Sequence, residues 1–239
     1  MKPHHLSLAA ALLAGCMAGA QAQATIDQNK ALAGNVTPGD TPGFPVTLNQ
    51  PGSYRLTGNL TVPEANTTAI LITSPNVTLD LGGYAILGPC AGGCGSSSLG
   101  DGVALALPNP SPGIGLAAIE IANGTVRGMG RYGINGINTL HGGSYGALRV
   151  ERMRLLNNRY GISIAGGGSV ANSDISGNVV ALHGNSVALR HNDITRNSTA
   201  FSLNSDSSAL GNVIQGNGTD ALASVRNLGG NLCGTALCP

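Results

Sequence analysis

Three ionisable residues hold equivalent places in the chain and could act together on a charged substrate. Asp80 stands between Leu79 and Leu81, and Glu120 and Arg149 hold the matching places in two later segments with the same alternation of apolar and polar residues. Because alternate residues of a strand point to opposite sides, all three are predicted to face solvent in one column. Two carboxylates beside an arginine are the minimum for a calcium-assisted elimination, so these three are the candidate catalytic residues.

The same grouping has a simpler interpretation, in which the charges only stabilise the sheet. Acidic and basic side chains on neighbouring strands pair routinely, and each pair contributes about 0.2–1 kcal/mol. An arginine that acts as a base would also need a strongly lowered pKa, since arginine is normally protonated. A second outward column is predicted at Arg154, Asp174 and Asp193. Structural pairing is therefore favoured, and catalysis by the first column is the alternative.

Aromatic residues are few, and two of them flank one loop. The chain has no Trp, two Phe and five Tyr. Tyr132 and Tyr145 lie near the two ends of a loop predicted from Arg131 to Gly146, which also contains His141. Carbohydrate sites commonly offer an aromatic face to a sugar ring. Arg131, Tyr132, His141 and Tyr145 are therefore the candidate binding residues, together with a long loop predicted at residues 89–117.

Four of the five cysteines fall into two local pairs, Cys90 with Cys94 and Cys233 with Cys238. A four-thiolate zinc site is the alternative, because both spacings loosely resemble ligand spacings. If the repeats described below stack at about 4.8 Å each, the two pairs lie several repeats apart and cannot share a metal ion. The sequence therefore predicts two local disulfides, an oxidising compartment and no metal site.

The first two dozen residues have the composition of an export signal. Lys2 precedes an apolar run from Leu6 to Leu13, and the Ala-Gln-Ala-Gln-Ala of residues 20–24 offers two small-residue cleavage sites. The apolar run is too short to cross a membrane. Cys16 ends a Leu-Ala-Gly-Cys sequence that resembles a lipoprotein cleavage box. Residues 1–24 are predicted to be a signal peptide of a secreted or periplasmic protein, with a lipid anchor at Cys16 as the alternative.

Charge is sparse and nearly balanced along the chain as a whole. Charged residues make up 10% of the 239 residues and the formal net charge is +1, so nucleic acid is not expected as a partner. The 37 glycines would suggest disorder, but apolar residues reach 42% and recur at regular spacing. This combination is typical of a thin, repetitive β architecture.

A short repeat runs through the second half of the chain. Asn158, Asn178, Asn197 and Asn217 recur at steps of 20, 19 and 20 residues. Each repeat contains short segments with apolar residues two apart, bounded by Gly, Asn and Ser. Strands this short cannot bury their apolar side alone, so the repeats must stack in parallel around an apolar interior. The asparagines would then form a hydrogen-bonded ladder, or would simply tolerate a left-handed turn.

The first half follows the same scheme and carries a more specific likeness. Residues 77–88 superimpose on residues 119–128. The segments 44–62 and 76–84 resemble the opening of bacterial right-handed parallel β-helix repeat proteins of the pectate-lyase-like superfamily. This resemblance covers nearly the whole mature chain and implies an all-β, right-handed parallel β-helix with an N-terminal cap.

The expected organisation follows from this resemblance and from the repeats. After the signal peptide we expect the N-terminal cap and linker at residues 25–62 and the β-helix at residues 63–239, with the loop excursion at residues 89–117. Nearly all the mature chain would thus belong to one elongated domain.

The polysaccharide-cleaving members of this superfamily carry signatures that are incomplete in this chain. The polygalacturonase-like pattern needs an Asp pair and an Arg-x-Lys, whereas the chain has no Asp-Asp and no lysine after Lys30. The nearest fragment is His183-Gly184, which is weak in a glycine-rich chain. An outward column of Ser163, Ala181 and Ser202 is also predicted to be small and uncharged.

We therefore expect an exported β-helix scaffold or surface-interaction protein, a monomer that binds extracellular polysaccharide or a cell-surface component and needs no cofactor. The alternative is a polysaccharide lyase or glycoside hydrolase that acts on acidic polysaccharide, with calcium as cofactor for the lyase.

Overall fold

The chain is built from short β-strands, which the computed structural model describes in residues 23–91, 93–106, 116–136, 148–204, 206–220, 222 and 224–239. One short helix, α1, spans Gln28–Ala33 in this part of the chain. The strands before residue 107 are β1 (Ala24–Ile26), β2 (Val46–Leu48), β3 (Gly52–Leu56), β4 (Leu60–Thr61), β5 (Ile70–Ile72), β6 (Val77–Asp80), β7 (Ala85–Leu87) and β8 (Val103–Leu105).

The later strands contain the repeats seen in the sequence. The first of them are β9 (Ile119–Arg127), β10 (Tyr132–Gly136), β11 (Leu148–Leu156), β12 (Tyr160–Ile164), β13 (Gly168–Ala171), β14 (Asp174–Ser176), β15 (Val180–Gly184) and β16 (Val187–Arg190). The last are β17 (Asp193–Thr195), β18 (Thr199–Leu203), β19 (Ser208–Leu210), β20 (Val213–Gln215), β21 (Arg226–Asn227), β22 (Leu232–Cys233) and β23 (Ala236–Leu237).

The strands form two sheets with parallel pairing. The smaller sheet has the order β2-β5-β8-β10-β12-β15-β18. The larger sheet follows β1-β3-β6-β9-β11-β14-β17-β20-β22, with β13, β16, β19 and β21 as a branch from β11. The terminal hairpin of β22 and β23 is antiparallel. Strands β12 to β17, β19 and β20 each pair with one strand from the repeat before and one from the repeat after, so the sequence repeat is also the structural repeat.

The interior is a set of aligned apolar side chains. Val126, Leu155, Ile175, Ile194 and Ile214 pair in register through consecutive repeats, and all five are fully buried. Burial of each such side chain stabilises the fold by about 1.5–3 kcal/mol. The apolar interior predicted for the stacked repeats is therefore present, with Leu155, Ile175, Ile194 and Ile214 at equivalent positions in it.

The predicted asparagine ladder is also confirmed. The Nδ2 group of Asn158 donates to Oδ1 of Asn178 at 3.3 Å, Asn178 donates to Asn197 at 3.0 Å, and Asn197 donates to Asn217 at 2.9 Å. Asp220 accepts from Asn217 Nδ2 at 2.8 Å and ends the ladder. The amides thus link consecutive repeats while remaining buried or partly buried.

The left-handed turn conformation belongs to the residue before each ladder asparagine, not to the asparagine itself. Asn157 has φ 53°, Gly177 has φ 68°, Arg196 has φ 55° and Gly216 has φ 65°. Tolerance of a left-handed turn therefore does not explain the ladder asparagines. Their hydrogen bonds do.

A second ladder, not predicted from the sequence, runs beside the first. The backbone N–H of Ser173 donates to Asn192 Oδ1 at 3.1 Å, and Asn192 Nδ2 donates to Asn212 Oδ1 at 2.9 Å. Asn212 Nδ2 in turn donates to Asn231 Oδ1 at 2.9 Å. These four residues recur at steps of 19, 20 and 19, so the spacing signal was present in the sequence.

Side chains cover the exposed edge of β2, the first strand of the smaller sheet. Asp40 Oδ1 accepts from the backbone N–H of Thr47 at 2.7 Å, and Thr37 Oγ1 donates to the Thr47 carbonyl at 2.6 Å. Asp40 and Thr37 are 3% and 4% exposed. Both backbone groups of Thr47 are thereby satisfied, which closes this edge to further strand pairing.

The predicted excursion at residues 89–117 is shorter in the structure. Strand β8 lies inside it and pairs with β5 on one side and β10 on the other. The glycine- and proline-rich composition concealed this strand, because only Val103, Ala104 and Leu105 form it. Residues 107–115 lie outside the described residues.

Both predicted disulfides are present. Cys90 is bonded to Cys94 and Cys233 to Cys238, with Cα–Cα separations of 5.1 Å and 4.9 Å. No helix in the described part of the chain has the length and apolar character that a membrane crossing requires.

Candidate functional site

Two of the three candidate catalytic residues lie side by side in one cavity. Glu120 of β9 is directly opposite Arg149 of β11, with Thr78 of β6 and Ser169 of β13 at the same position on the outer neighbours. These four side chains line a cavity of about 760 Å³, which we call the groove. Since parallel strands lie about 4.8 Å apart, the groove crosses four strands over roughly 14 Å and suits an extended ligand.

The expected place of Asp80 in this column is wrong. In the structure Thr78 pairs with Glu120, and Asp80 pairs with Ala122 instead. The reason is the turn of Gly82 and Gly83, with φ of 59° and 84°, which adds two residues between β6 and β7. The two extra residues therefore follow Asp80, between β6 and β7, and the predicted match of Asp80 with Glu120 is off by two residues.

Asp80 is instead engaged in its own turn. Its Oδ1 accepts from the backbone N–H of Gly82 at 2.8 Å and from Asn123 Nδ2 at 3.1 Å. Its Oδ2 lies 3.7 Å from Nη1 of Arg55. These contacts give Asp80 the role of shaping the β6–β7 turn, so a calcium clamp built from Asp80 and Glu120 is not assembled here.

The arginine of the groove is accessible. Arg149 has a side chain 59% exposed, and its Nη2 group lies 3.0 Å from Oε2 of Glu151 on the same strand. Glu151 also pairs with Arg152. No hydrogen bond or ion pair to the Glu120 carboxylate is found within the described residues. Arg149 and Glu120 therefore give the groove one cationic and one anionic group that a ligand can reach.

The second predicted column is confirmed. Arg154 pairs in register with Asp174, and Asp174 pairs with Asp193. The Arg154 Nε atom lies 3.8 Å from Asp174 Oδ2, and the side chains are 63% and 36% exposed. An ion pair this exposed contributes at most about 1 kcal/mol to stability.

Arg131, a predicted binding residue, forms an ion pair within the protein. Its Nε and Nη2 groups donate to the two carboxylate oxygens of Asp101 at 2.9 Å and 2.7 Å. Asp101 also accepts from Asn135 Nδ2 at 2.8 Å and from the Tyr132 backbone N–H at 3.2 Å, and its side chain is only 1% exposed. The hydrogen bonds to Asp101 raise the pKa of Arg131. Asp101 was missed because it lies in the stretch predicted to be a loop.

Tyr132 of β10 belongs to an aromatic stack that its spacing in the sequence does not indicate. Its ring lies 4.8 Å from that of Tyr160, and Tyr160 lies 5.9 Å from the ring of His183. Burial raises the pKa of Tyr132 and lowers that of His183. Because Tyr132 and Tyr160 stack on each other, their faces are partly occupied. His141 and Tyr145, the other two predicted binding residues, lie outside the described residues.

The expected column of Ser163, Ala181 and Ser202 is also corrected. Ser163 pairs with His183, and His183 pairs with Ser202, while Ala181 is fully buried. Ser163 Oγ lies 3.0 Å from Nδ1 of His183. The true register follows from the ladder, because β12, β15 and β18 each begin two residues after a ladder asparagine. Ser163 is fully buried and His183 is partly buried, so the Ser163 hydroxyl itself is closed to solvent.

Charge is unevenly distributed along the chain, which its overall balance conceals. Residues 120–196 contain eight arginines and four carboxylates, a net charge of +4, whereas residues 25–101 contain five carboxylates and two basic residues, a net charge of −3. The groove lies at the junction, with Arg149 in the basic part. Among the described residues no group of three His, Cys, Asp or Glu side chains is placed to hold a metal ion.

Comparisons with protein-family models, with curated proteins and with solved structures find no match to this chain.

Proposed function

We propose that this chain is an exported, right-handed parallel β-helix that acts as a scaffold and binds an extracellular polysaccharide in the groove without cleaving it. The observation that carries the proposal is the groove itself. It offers the accessible Arg149, the unengaged Glu120 and two hydroxyl side chains in one row across four parallel strands. Such a row matches the alternating hydroxyl and acidic groups of an extended sugar chain.

Export is supported by the two disulfides as well as by the N-terminal sequence. Disulfides persist in oxidising compartments and are rare in the cytosol. Both bonds close very short segments, with sequence separations of 4 and 5 residues, so they brace local turns. Secretion or release into the periplasm is the primary proposal, and lipidation at Cys16 is the alternative.

We base the proposed β-helix fold, and the proposed relationship to the pectate-lyase-like superfamily, on one agreement. The repeat in the sequence matches the repeat in the strand pairing. Parallel pairing in register from one repeat to the next, with ladders of asparagine beside aligned aliphatic side chains, is what stacked coils require. The covered edge of β2 supports a monomer, because Thr37 and Asp40 occupy the backbone groups that another chain would pair with.

Binding is favoured over cleavage because only two of the three predicted catalytic residues lie together in the groove. Asp80 is displaced from the column and its oxygens are used by Gly82, Asn123 and Arg55. Glu120 and Arg149 remain adjacent, which keeps a calcium-assisted lyase acting on acidic polysaccharide as the second candidate. In that case calcium would have only one groove carboxylate, Glu120, from this column.

The test is binding of the purified protein to polygalacturonate, alginate and a neutral glucan, measured by affinity electrophoresis. Arg149→Ala removes a hydrogen bond from a charged donor, worth about 1.5–3 kcal/mol, so retention on the bound polymer should weaken at least about 10-fold. Ser169→Trp fills the groove and should abolish retention without changing charge. Arg190→Ala, an exposed arginine outside the groove, is the matched control and should bind normally. Retention by none of the polymers, or equal losses in the Arg149 and Arg190 variants, would refute the proposal.

A further inference from the structure

A second cavity, of about 480 Å³, lies between the Cys90–Cys94 disulfide loop and the turn that follows β11. We call it the disulfide pocket. Its volume falls within the range of small-molecule sites, about 300–1,000 Å³. None of the residues of the groove lines it. Any ligand it holds would therefore be recognised by different side chains.

The backbone at the floor of this pocket is fixed by the repeats. Asn158 is a ladder asparagine, 3% exposed. The next residue, Arg159, accepts from the Val180 backbone N–H at 3.0 Å, and the Tyr160 N–H donates to the Arg131 carbonyl at 2.8 Å. Arg159 thus projects from a turn that hydrogen bonds hold to the repeats on both sides.

The guanidinium of Arg159 is positioned by neutral groups. Its Nη1 group donates to the backbone carbonyl of Ser96, and its Cζ atom lies 5.5 Å from the centre of the Tyr160 ring. No carboxylate lies within ion-pair distance of it in the described part of the chain. A guanidinium has five N–H donors in a planar fork, so most of its hydrogen-bonding capacity is open to a ligand.

The remaining lining completes a site for an anion with an apolar body. Arg159 is the one ionisable side chain among the described lining residues. Met129, the Cys90–Cys94 disulfide and Val179 supply apolar surface, and Val179 is 53% exposed. The lining itself supplies no negative charge to Arg159, so a ligand that pairs with Arg159 would be an anion.

We propose that the disulfide pocket binds a monocarboxylate attached to a ring-sized body. A carboxylate matches the planar fork with two parallel hydrogen bonds and carries the single charge that one arginine balances. A phosphate dianion would leave one charge unpaired in a partly enclosed site. Two sources offer this chemistry, a free organic acid and a sugar acid, and the experiment distinguishes them.

The experiment follows the Nε–H signal of Arg159 by ¹⁵N NMR at constant ionic strength. Sodium benzoate and sodium glucuronate represent the two sources, with benzyl alcohol as the neutral analogue and inorganic phosphate as the dianion. At least one carboxylate should shift the signal saturably at millimolar concentration, whereas benzyl alcohol should not. A saturable shift with glucuronate would identify the ligand as a sugar acid. A saturable shift with benzoate alone would identify it as a free apolar acid.

Two variants and a control locate the binding. Arg159→Gln should weaken carboxylate binding at least 10-fold, as measured by calorimetry, and Val179→Trp should block the pocket while leaving Arg159 in place. Arg190→Gln should bind like the unchanged protein. The proposal would be overturned if neither carboxylate gave a saturable shift of the Arg159 signal, or if phosphate bound more tightly than both. Unchanged carboxylate binding in the Val179→Trp variant would also overturn it. These outcomes are separate from polysaccharide retention, which depends on Arg149.

Discussion

The side chain of Asn178 donates a hydrogen bond of 3.0 Å to Asn197 Oδ1, and the same oxygen accepts the backbone N–H of Asn178 at 2.9 Å. Asn178 Nδ2 also donates to the Leu155 carbonyl at 2.9 Å. One buried amide therefore joins three consecutive repeats. Since Asn178 and Asn197 are 2% and 3% exposed, water cannot replace a lost partner.

We predict that Asn178→Ala or Asn197→Ala lowers the free energy of unfolding by about 1–3 kcal/mol, because buried partners are left unpaired. Asn192→Ala tests the second ladder and should cost a similar amount. Asn204→Ala, at an exposed position without a ladder contact, should change stability by less than about 0.5 kcal/mol. Denaturant melts of the four variants decide this, and ladder variants as stable as the control would contradict the assigned role.

The repeat could be predicted because its signal is local and periodic. The steps between Asn158, Asn178, Asn197 and Asn217 and the aliphatic residues three positions before each follow directly from stacking of equal units. The second ladder was missed because one of its members is Ser173, which broke the pattern of identical residues. Strand β8 was missed because three residues between glycine-rich segments carry almost no periodic signal.

A second prediction concerns the covered edge of β2. Asp40→Ala leaves the Val36 and Thr47 backbone N–H groups without their carboxylate acceptor, which should destabilise the fold by about 1–3 kcal/mol. It also frees a strand edge, so concentration-dependent association should increase. Sedimentation velocity checks the association and thermal melts check the stability. A monomer at all concentrations would show that the edge stays closed without Asp40.

A third prediction concerns the buried ion pair. Arg131→Ala leaves the Asp101 carboxylate, 1% exposed, without its charged partner, and should cost about 3 kcal/mol. Arg190→Ala, an exposed arginine, should cost less than about 0.5 kcal/mol. Urea melts of both variants test the difference. If both substitutions lower the free energy of unfolding by the same small amount, the hydrogen bonds of Asp101 do not stabilise the fold as we describe.

A fourth prediction concerns pH. Burial lowers the pKa of His183 in the folded protein, so below the unfolded value of about 6.5 the unfolded chain binds more protons than the folded chain. The stability contributed by neutral His183 is therefore fully present above pH 6.5 and is lost as the pH falls toward the folded pKa. His183→Gln should flatten this part of the stability curve, as measured by urea melts between pH 4 and 8. An NMR titration that gives His183 a raised pKa would contradict this sign.

The candidate site was only partly predictable, because its geometry depends on register. Glu120 and Arg149 were correctly paired, since their strands are the same length and begin at matching residues. Asp80 was misplaced by the two residues in the Gly82–Gly83 turn, and the Ser163–His183 contact was concealed by a two-residue error in the opposite sheet. A register error of two residues leaves the same side of the strand facing out. The alternation of apolar and polar residues alone therefore cannot reveal it.

The most direct test of polysaccharide binding without cleavage follows both events in one sample. Protein is mixed with polygalacturonate and calcium, polymer retention is measured by affinity electrophoresis, and absorbance reports the unsaturated product of elimination. We predict retention that Arg149→Ala weakens, with no rise in absorbance for either protein. Calcium-dependent formation of unsaturated product that is lost in Arg149→Ala or Glu120→Gln would contradict this account and identify the protein as a lyase.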